Sequence, residues 1–249
     1  MSGHSKWATI KRKKAATDAA RGKTFTKAIK EITIAARQGG GDPEKNPRLR
    51  TAILAAKSVN MPAGNIERAI KKGTGELEGA TFEEAHYEGY APGGVALLVE
   101  VATDNKNRTG GEIRNILTRF GGNMAEAGSV SYMFKPRGLI VIDKHAVAED
   151  ALIELALEAG ADDVSTEGDV YEVLTPPAQV ETVREALVAK GIAVQSAEST
   201  KLATLQVPVD DSRAASVFRL IETLEDHDDV QKVYANYSVS DELLAKLAQ

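Results

Sequence analysis

Apolar residues in the first third of the chain recur at helical spacing. Phe25, Ile29, Ile32 and Ala36 fall at i, i+4, i+7 and i+11 and form one stripe from Thr24 onward. Lys23, Lys27, Lys30 and Arg37 keep the same spacing two residues out of phase, roughly 200° around the axis. One face is therefore expected to bury itself while the other presents cations. Gly39, Gly40 and Gly41 should stop this helix. Asn46 and Pro47 open the next as N-cap and first helical residue, with Leu49, Ile53 and Ala56 inside. A third, short helix is expected from Pro62, with Ile66, Ala69 and Ile70 buried and Gly73 as its stop. Together these make a small helical bundle.

After the linker Gly73 to Thr81 the period changes from helical to alternating. Glu84–Tyr90 and Val95–Thr103 read as strands around an Ala91-Pro92-Gly93-Gly94 turn. Thr109 and Glu112 have capping-box spacing for a helix through Phe120, and Val130 to Phe134 reads as a strand. Leu139–Asp143, Glu149–Glu158, Asp163–Glu167, Val170–Leu174, Pro176–Ala189 and Ile192–Ser196 then give β-α-β-β-α-β, the ferredoxin-like order. Thr204–Val209, Ser212–Leu224 and Val230–Tyr237 add β-α-β.

The expected class is α+β. A helical bundle with a basic arm (1–78) precedes two ferredoxin-like α+β domains, one inserted into the other. Residues 79–137 and 203–239 make the split domain, 138–202 the insert, and 240–249 carry a short tail helix.

Charge sharpens this picture. The chain's formal charge of −5 hides a strong asymmetry, because Met1 to Lys72 carries a net +12 and the remainder −17. Segregation of this kind points to a polyanion-binding segment on an acidic body. The first 27 residues hold the single tryptophan, Trp7, with Lys6, Lys11, Arg12, Lys13, Lys14, Arg21, Lys23 and Lys27, against only Asp18. Beyond Trp7, Ile10 and Phe25 this stretch has little apolar bulk with which to build a core, so it reads as an arm whose partner supplies the missing contacts. Cations beside one flat ring suit phosphates and an exposed base. Trp7 either stacks on that base or anchors the arm to the bundle. The set expected to bind nucleic acid is Lys6, Trp7, Lys11, Arg12, Lys13, Lys14, Arg21, Lys23, Lys27 and Lys30.

Other chemistry finds little footing. The chain has no cysteine, which removes disulfides and thiolate metal sites and fits a reducing cytoplasm. No secretory signal or bilayer-spanning run is recognised. Arg21-Gly22-Lys23-Thr24 contains a GKT, but Thr17 stands where a phosphate loop needs glycine. The four histidines are scattered, and Asp226, Asp228 and Asp229 lack the ligand spacing of a calcium loop. Adjacent Glu83 and Glu84 point to opposite sides of a strand. No enzyme, cofactor or metal is expected. Asn105, Lys106, Asn107 and Arg108, at the start of a capped helix, are a possible secondary contact for a phosphate or a base edge, or an inert Asx-rich turn.

Specific motifs then accumulate: Gly3-His4-Ser5-Lys6-Trp7, Arg21-Gly22-Lys23, Phe25-Thr26-Lys27, Gly39-Gly40-Gly41-Asp42-Pro43, Asn46 to Arg50, Asn60-Met61-Pro62, Asn65 to Ile70, Tyr87-Glu88-Gly89-Tyr90 and Asn105 to Thr109. This combination resembles the YebC/PmpR family, whose mitochondrial members are translational activators of cytochrome c oxidase, and the similarity runs over nearly the whole chain. The resemblance implies a helical domain followed by two α+β domains. It also implies a cytoplasmic, probable DNA-binding transcriptional regulator with no catalytic residue, while some members are described as ribosome-associated factors that help translation through proline runs. Gly110-Gly111 departs from the bulkier residues usual at that helix start.

The leading expectation is a nucleic-acid-binding regulator of gene expression. Its target is DNA or structured RNA, including the ribosome, and its acidic domains can take a protein partner. An interaction scaffold with a merely solubilising arm is the competing reading.

Overall fold

The computed structural model describes residues 18–166, 168 and 170–240, with side chains from residue 22 onward. It is a mixed helix and sheet protein that divides into two compact units. Within the described residues, one comprises 18–130 with 211–233 and the other 131–210 with 234–240.

The first unit begins with three helices, α1 (Asp18–Gly39), α2 (Pro47–Ser58) and α3 (Ala63–Thr74). Their shared core is Ile32, Ala35, Ala36, Leu49, Ala52, Ala56, Met61, Ile66 and Ala69. The α1 stripe and the α2 start fall where the periodicity puts them. Asn46 caps α2 by accepting from Leu49 N at 3.0 Å, while its Nδ2 donates to Ala35 O and Gly40 O at 2.8 and 2.9 Å. Gly73 does not end α3. The helix runs on to Gly75, which takes the left-handed conformation at φ 83°. Gly73 is instead buried against α1, where an added Cβ would lie 2.4 Å from Thr33 O and 2.7 Å from Ala36 Cβ. It is glycine because two helix backbones meet there.

The same unit contains strands β1 (Glu83–Ala91), β2 (Val95–Thr103) and β3 (Asn123–Met124), and helix α4 (Lys106–Arg119). β1 and β2 form an antiparallel hairpin from Glu83–Thr103 to Ala91–Val95. α4 is capped by Asn105, whose side chain accepts from Arg108 N, so Thr109 is not the cap. Thr109 lies in the first turns, fully buried. Helix α7 (Asp211–Glu225) and strand β9 (Val230–Ala235) return to this sheet, whose order is β3-β1-β2-β9.

The second unit holds β4 (Phe134–Asp143), α5 (Glu149–Glu158), β5 (Asp163–Ser165), β6 (Val170–Thr175), α6 (Val180–Ala189) and β7 (Val194–Ala203). The order β5-β6-β4-β7, antiparallel throughout, is that of a ferredoxin-like sheet. Ile140, Ile142, Tyr171 and Val173 on the sheet pack against Leu152, Ala156, Val183 and Leu187 of the two helices. Residues expected to form a strand at Val130 instead make a single 3-10 turn, Ser131–Met133, before β4 starts. The strand expected over Thr204–Val209 shortens to β8 (Val207–Pro208), paired in parallel with β10 (Tyr237–Ser238). The expected tail helix lies outside the described residues. No helix among them is long and apolar enough to cross a membrane.

Candidate nucleic-acid interface

Lys6, Trp7, Lys11, Arg12, Lys13 and Lys14 lie outside the described residues, and Arg21 sits in α1 without a described side chain. The remaining α1 lysines do form one row, and each has a partner within the protein. The segment following α7 runs beside it. Lys23 pairs with Asp226 at 3.3 Å, Lys27 donates to Glu225 O, and Lys30 donates to Asp228 O at 2.9 Å and to Asp229 Oδ1 at 2.5 Å. Lys30 is only 6% exposed, which corrects its assignment to an open cationic face. Its partner lies 199 residues further along the chain, beyond the reach of local spacing.

Asp229 is the hub. Its Oδ2 accepts from Thr109 Oγ1 at 2.6 Å, Arg108 Nη2 at 2.5 Å and Thr103 Oγ1 at 3.2 Å. Burial alone would raise its carboxyl pKa. The hydrogen bonds from Lys30, Thr109 and Arg108 outweigh burial and hold it well below the ordinary carboxylate range. The acidic turn therefore does bind cations, and they are the protein's own side chains. Glu112, His227 and Asp229 also come together. His227 Nδ1 accepts from Asp229 N at 3.1 Å, which leaves Nε2 to carry the proton toward Glu112 Oε2 at 2.9 Å. Both ring nitrogens are engaged, and Arg108 stands beside the same carboxylate, so this cluster is a poor cation cage.

The Asn105–Arg108 loop splits by role. Asn105 caps α4 and Arg108 is drawn to Asp229 and Asp104, so neither is free to read a base. Lys106 and Asn107 remain exposed, with Lys106 in a surface pair with Glu83 at 2.6 Å. Glu84, on the opposite side of the strand, takes Arg48, which also grips Glu31. These two carboxylates, Glu84 first, raise the Arg48 pKa further.

Further exposed cations stand on α2 and α3. Arg50 and Lys57 lie at i, i+7 on α2, with exposed Leu54 between them, and Arg68 and Lys72 at i, i+4 on α3. All four cations are exposed, and none pairs with a described carboxylate.

Family models match nearly the whole length: the TACO1/YebC N-terminal domain over residues 5–76 and the TACO1/YebC second and third domain over residues 82–237. The chain belongs to the TACO1/YebC family. A relative in Geobacter sulfurreducens is 59% identical over 99% of this chain and all of its own, and one in Desulfotalea psychrophila is 56% identical over the full length of both. Each is named a probable transcriptional regulatory protein. The crystal structure of a conserved hypothetical protein from Aquifex aeolicus, 48% identical, superposes with a TM-score of 0.79 over 90% of this chain and 93% of that one. That protein is thus similar to this chain in both sequence and fold.

Proposed function

We propose that this TACO1/YebC protein is a nucleic-acid-binding regulator of gene expression that acts in the cytoplasm, and the reading assigns it no catalytic step. The supporting observation is a set of exposed cations on α2 and α3, Arg50, Lys57, Arg68 and Lys72, none paired with a described carboxylate, on the part of the chain whose net charge is +12. The basic arm, Lys6 to Lys14 with Trp7 and Arg21, is assigned the same binding role. Lys27, bonded to Glu225 O, is peripheral, whereas Lys23 is held only by an exposed pair with Asp226 that a phosphate can displace. The acidic remainder repels a polyanion and orients the protein by confining contact to the front, or binds a protein partner.

The names of the relatives favour DNA. A second reading, structured RNA such as the ribosome, is favoured by the exposed α2 face. Arg50 and Lys57 present charge to phosphates on either side of apolar Leu54, and no Asn or Gln stands among them to read a base edge. Titrating the protein with promoter duplex and with ribosomes at one salt concentration separates the two. Tight duplex binding with sequence preference supports transcriptional control, and co-sedimentation with ribosomes that survives moderate salt supports the RNA reading. Binding to neither would sink both and leave the scaffold.

A further inference from the structure

An open groove of about 480 Å³ lies on the first unit between strand β1 and helix α4, lined by Ala85, Tyr87, Lys106, Asn107, Gly110, Gly111, Arg114 and Met124. Its composition follows from the two periods involved. Ala85 and Tyr87 alternate onto one face of β1. Lys106, Asn107, Gly110, Gly111 and Arg114 share one face of α4 over two turns. Tyr87 fixes the two walls by donating its hydroxyl to Lys106 O at 2.7 Å.

The glycines carry the inference. Two helical glycines in succession weaken a helix, each by about as much as the whole ordinary propensity scale spans. Gly110 has a packing reason: a Cβ there would lie 3.2 Å from Tyr87 Cε1. Gly111 has none, since nothing lies within 4 Å of where its Cβ would be. The fold does not need glycine at 111, and the groove does, because a side chain there would stand in it. At the two ends of that glycine floor are cations. Arg114 is exposed and pairs with no described group, and side chains on a helix lean toward its N-terminus, over the preceding turn. Lys106 is held only by the exposed Glu83, a pair that an incoming phosphate can displace. Asn107 adds a group that both donates and accepts.

Resting on the nucleic-acid reading above, we infer that this groove is a second contact site that takes a short single-stranded stretch of nucleic acid, its phosphates on Lys106 and Arg114 and its sugar or base over the Gly110–Gly111 floor beside Tyr87 and Asn107. The two cations lie eight residues apart, about 12 Å along the helix. That spacing spans about two phosphate-to-phosphate steps of one strand, so the two cations take alternate phosphates. A volume of this size accepts a nucleotide or two and excludes a double helix.

The test uses the full chain and fluorescently labelled oligouridylate and oligothymidylate, read by anisotropy, with Gly111→Leu and Arg114→Gln compared with Lys57→Gln/Arg68→Gln. Gly111→Leu should fill the groove and weaken binding of at least one oligomer by about tenfold, while the melting temperature stays level or rises because leucine favours the helix. Arg114→Gln should weaken it less and lower the salt slope by about 1. A preference for oligouridylate assigns the site to RNA, through the 2′-hydroxyl, and a preference for oligothymidylate to single-stranded DNA. If both groove variants bind as wild type while Lys57→Gln/Arg68→Gln binds less, the groove is overturned and the general reading stands. Full competition by millimolar uridine monophosphate overturns it in favour of a mononucleotide site. A wild-type protein that binds neither oligomer overturns it as well; promoter duplex or ribosomes still bound in the titration above would then leave the general reading intact.

Discussion

Lys30 Nζ and Asp229 Oδ1 lie 2.5 Å apart, both buried, and join the first helix of the bundle to the segment that returns the chain to its first sheet. An ion pair so enclosed is costly to form and more costly to break on one side. Lys30→Met should lower stability by about 2–4 kcal/mol, somewhat under the range usual for a broken buried pair, because Arg108, Thr109 and Thr103 continue to serve Asp229. Asp229→Asn should cost at least as much, since it leaves Lys30 buried with no counter-charge. Urea denaturation of each variant measures both.

The pH dependence follows from the direction in which the Asp229 pKa moves. A carboxyl depressed on folding contributes stability that is complete above the unfolded-state value, about 3.9, and is lost as pH falls through the lower folded value. Below about pH 4 the wild-type advantage over Asp229→Asn should therefore shrink steadily. Above about pH 5 it should be flat. Melting temperatures of the two proteins from pH 7 down to 3 test the sign.

Gly73→Ala sets two effects against each other. Alanine gains about 1 kcal/mol in helix propensity. Its Cβ, however, meets the backbone oxygen of Thr33 at 2.4 Å, and a backbone atom yields only if α1 and α3 move apart. Overpacking costs about 1–3 kcal/mol, so the net change should be destabilising. An increase in melting temperature would contradict the packing described.

Asn46→Ala removes the α2 cap and strands the carbonyls of Ala35 and Gly40, which Asn46 serves from a position only 5% exposed. A lost cap and a lost buried donor together should cost about 2–3 kcal/mol. Asn46→Ser should recover the cap alone, so its melting temperature should fall between wild type and Asn46→Ala.

These residues also mark how far the sequence could be read. Asn46-Pro47 announces a helix start because a cap and its first turn are adjacent in the chain, and the ferredoxin-like order of the second unit follows from elements that succeed one another without interruption. Gly73 looked like a stop because glycine in a helix means either an end or a close approach, and the approaching helix lies about forty residues earlier. Thr109 matched a capping box, yet Asn105 does the capping and Thr109 serves Asp229, more than a hundred residues on. Lys30 fits the same cationic row as Lys23 and Lys27, and its burial depends on Asp229, near the far end of the chain. Local spacing carries the elements; long-range pairing decides which of the cations on them are open, as Lys30 and Asp229 show.

The exposed bundle cations account for binding only if they meet phosphates. Lys57→Gln/Arg68→Gln should leave stability within about 0.5 kcal/mol of wild type, as surface changes do, and should lower the salt slope of binding by about 2.

The most direct measurement is the affinity of the wild-type protein for nucleic acid between about 50 and 200 mM salt. If about six to ten phosphates are engaged, affinity should fall by roughly 10³–10⁵ across that range, log-linearly. An affinity that stays flat would mean that the positive front does not neutralise a polyanion.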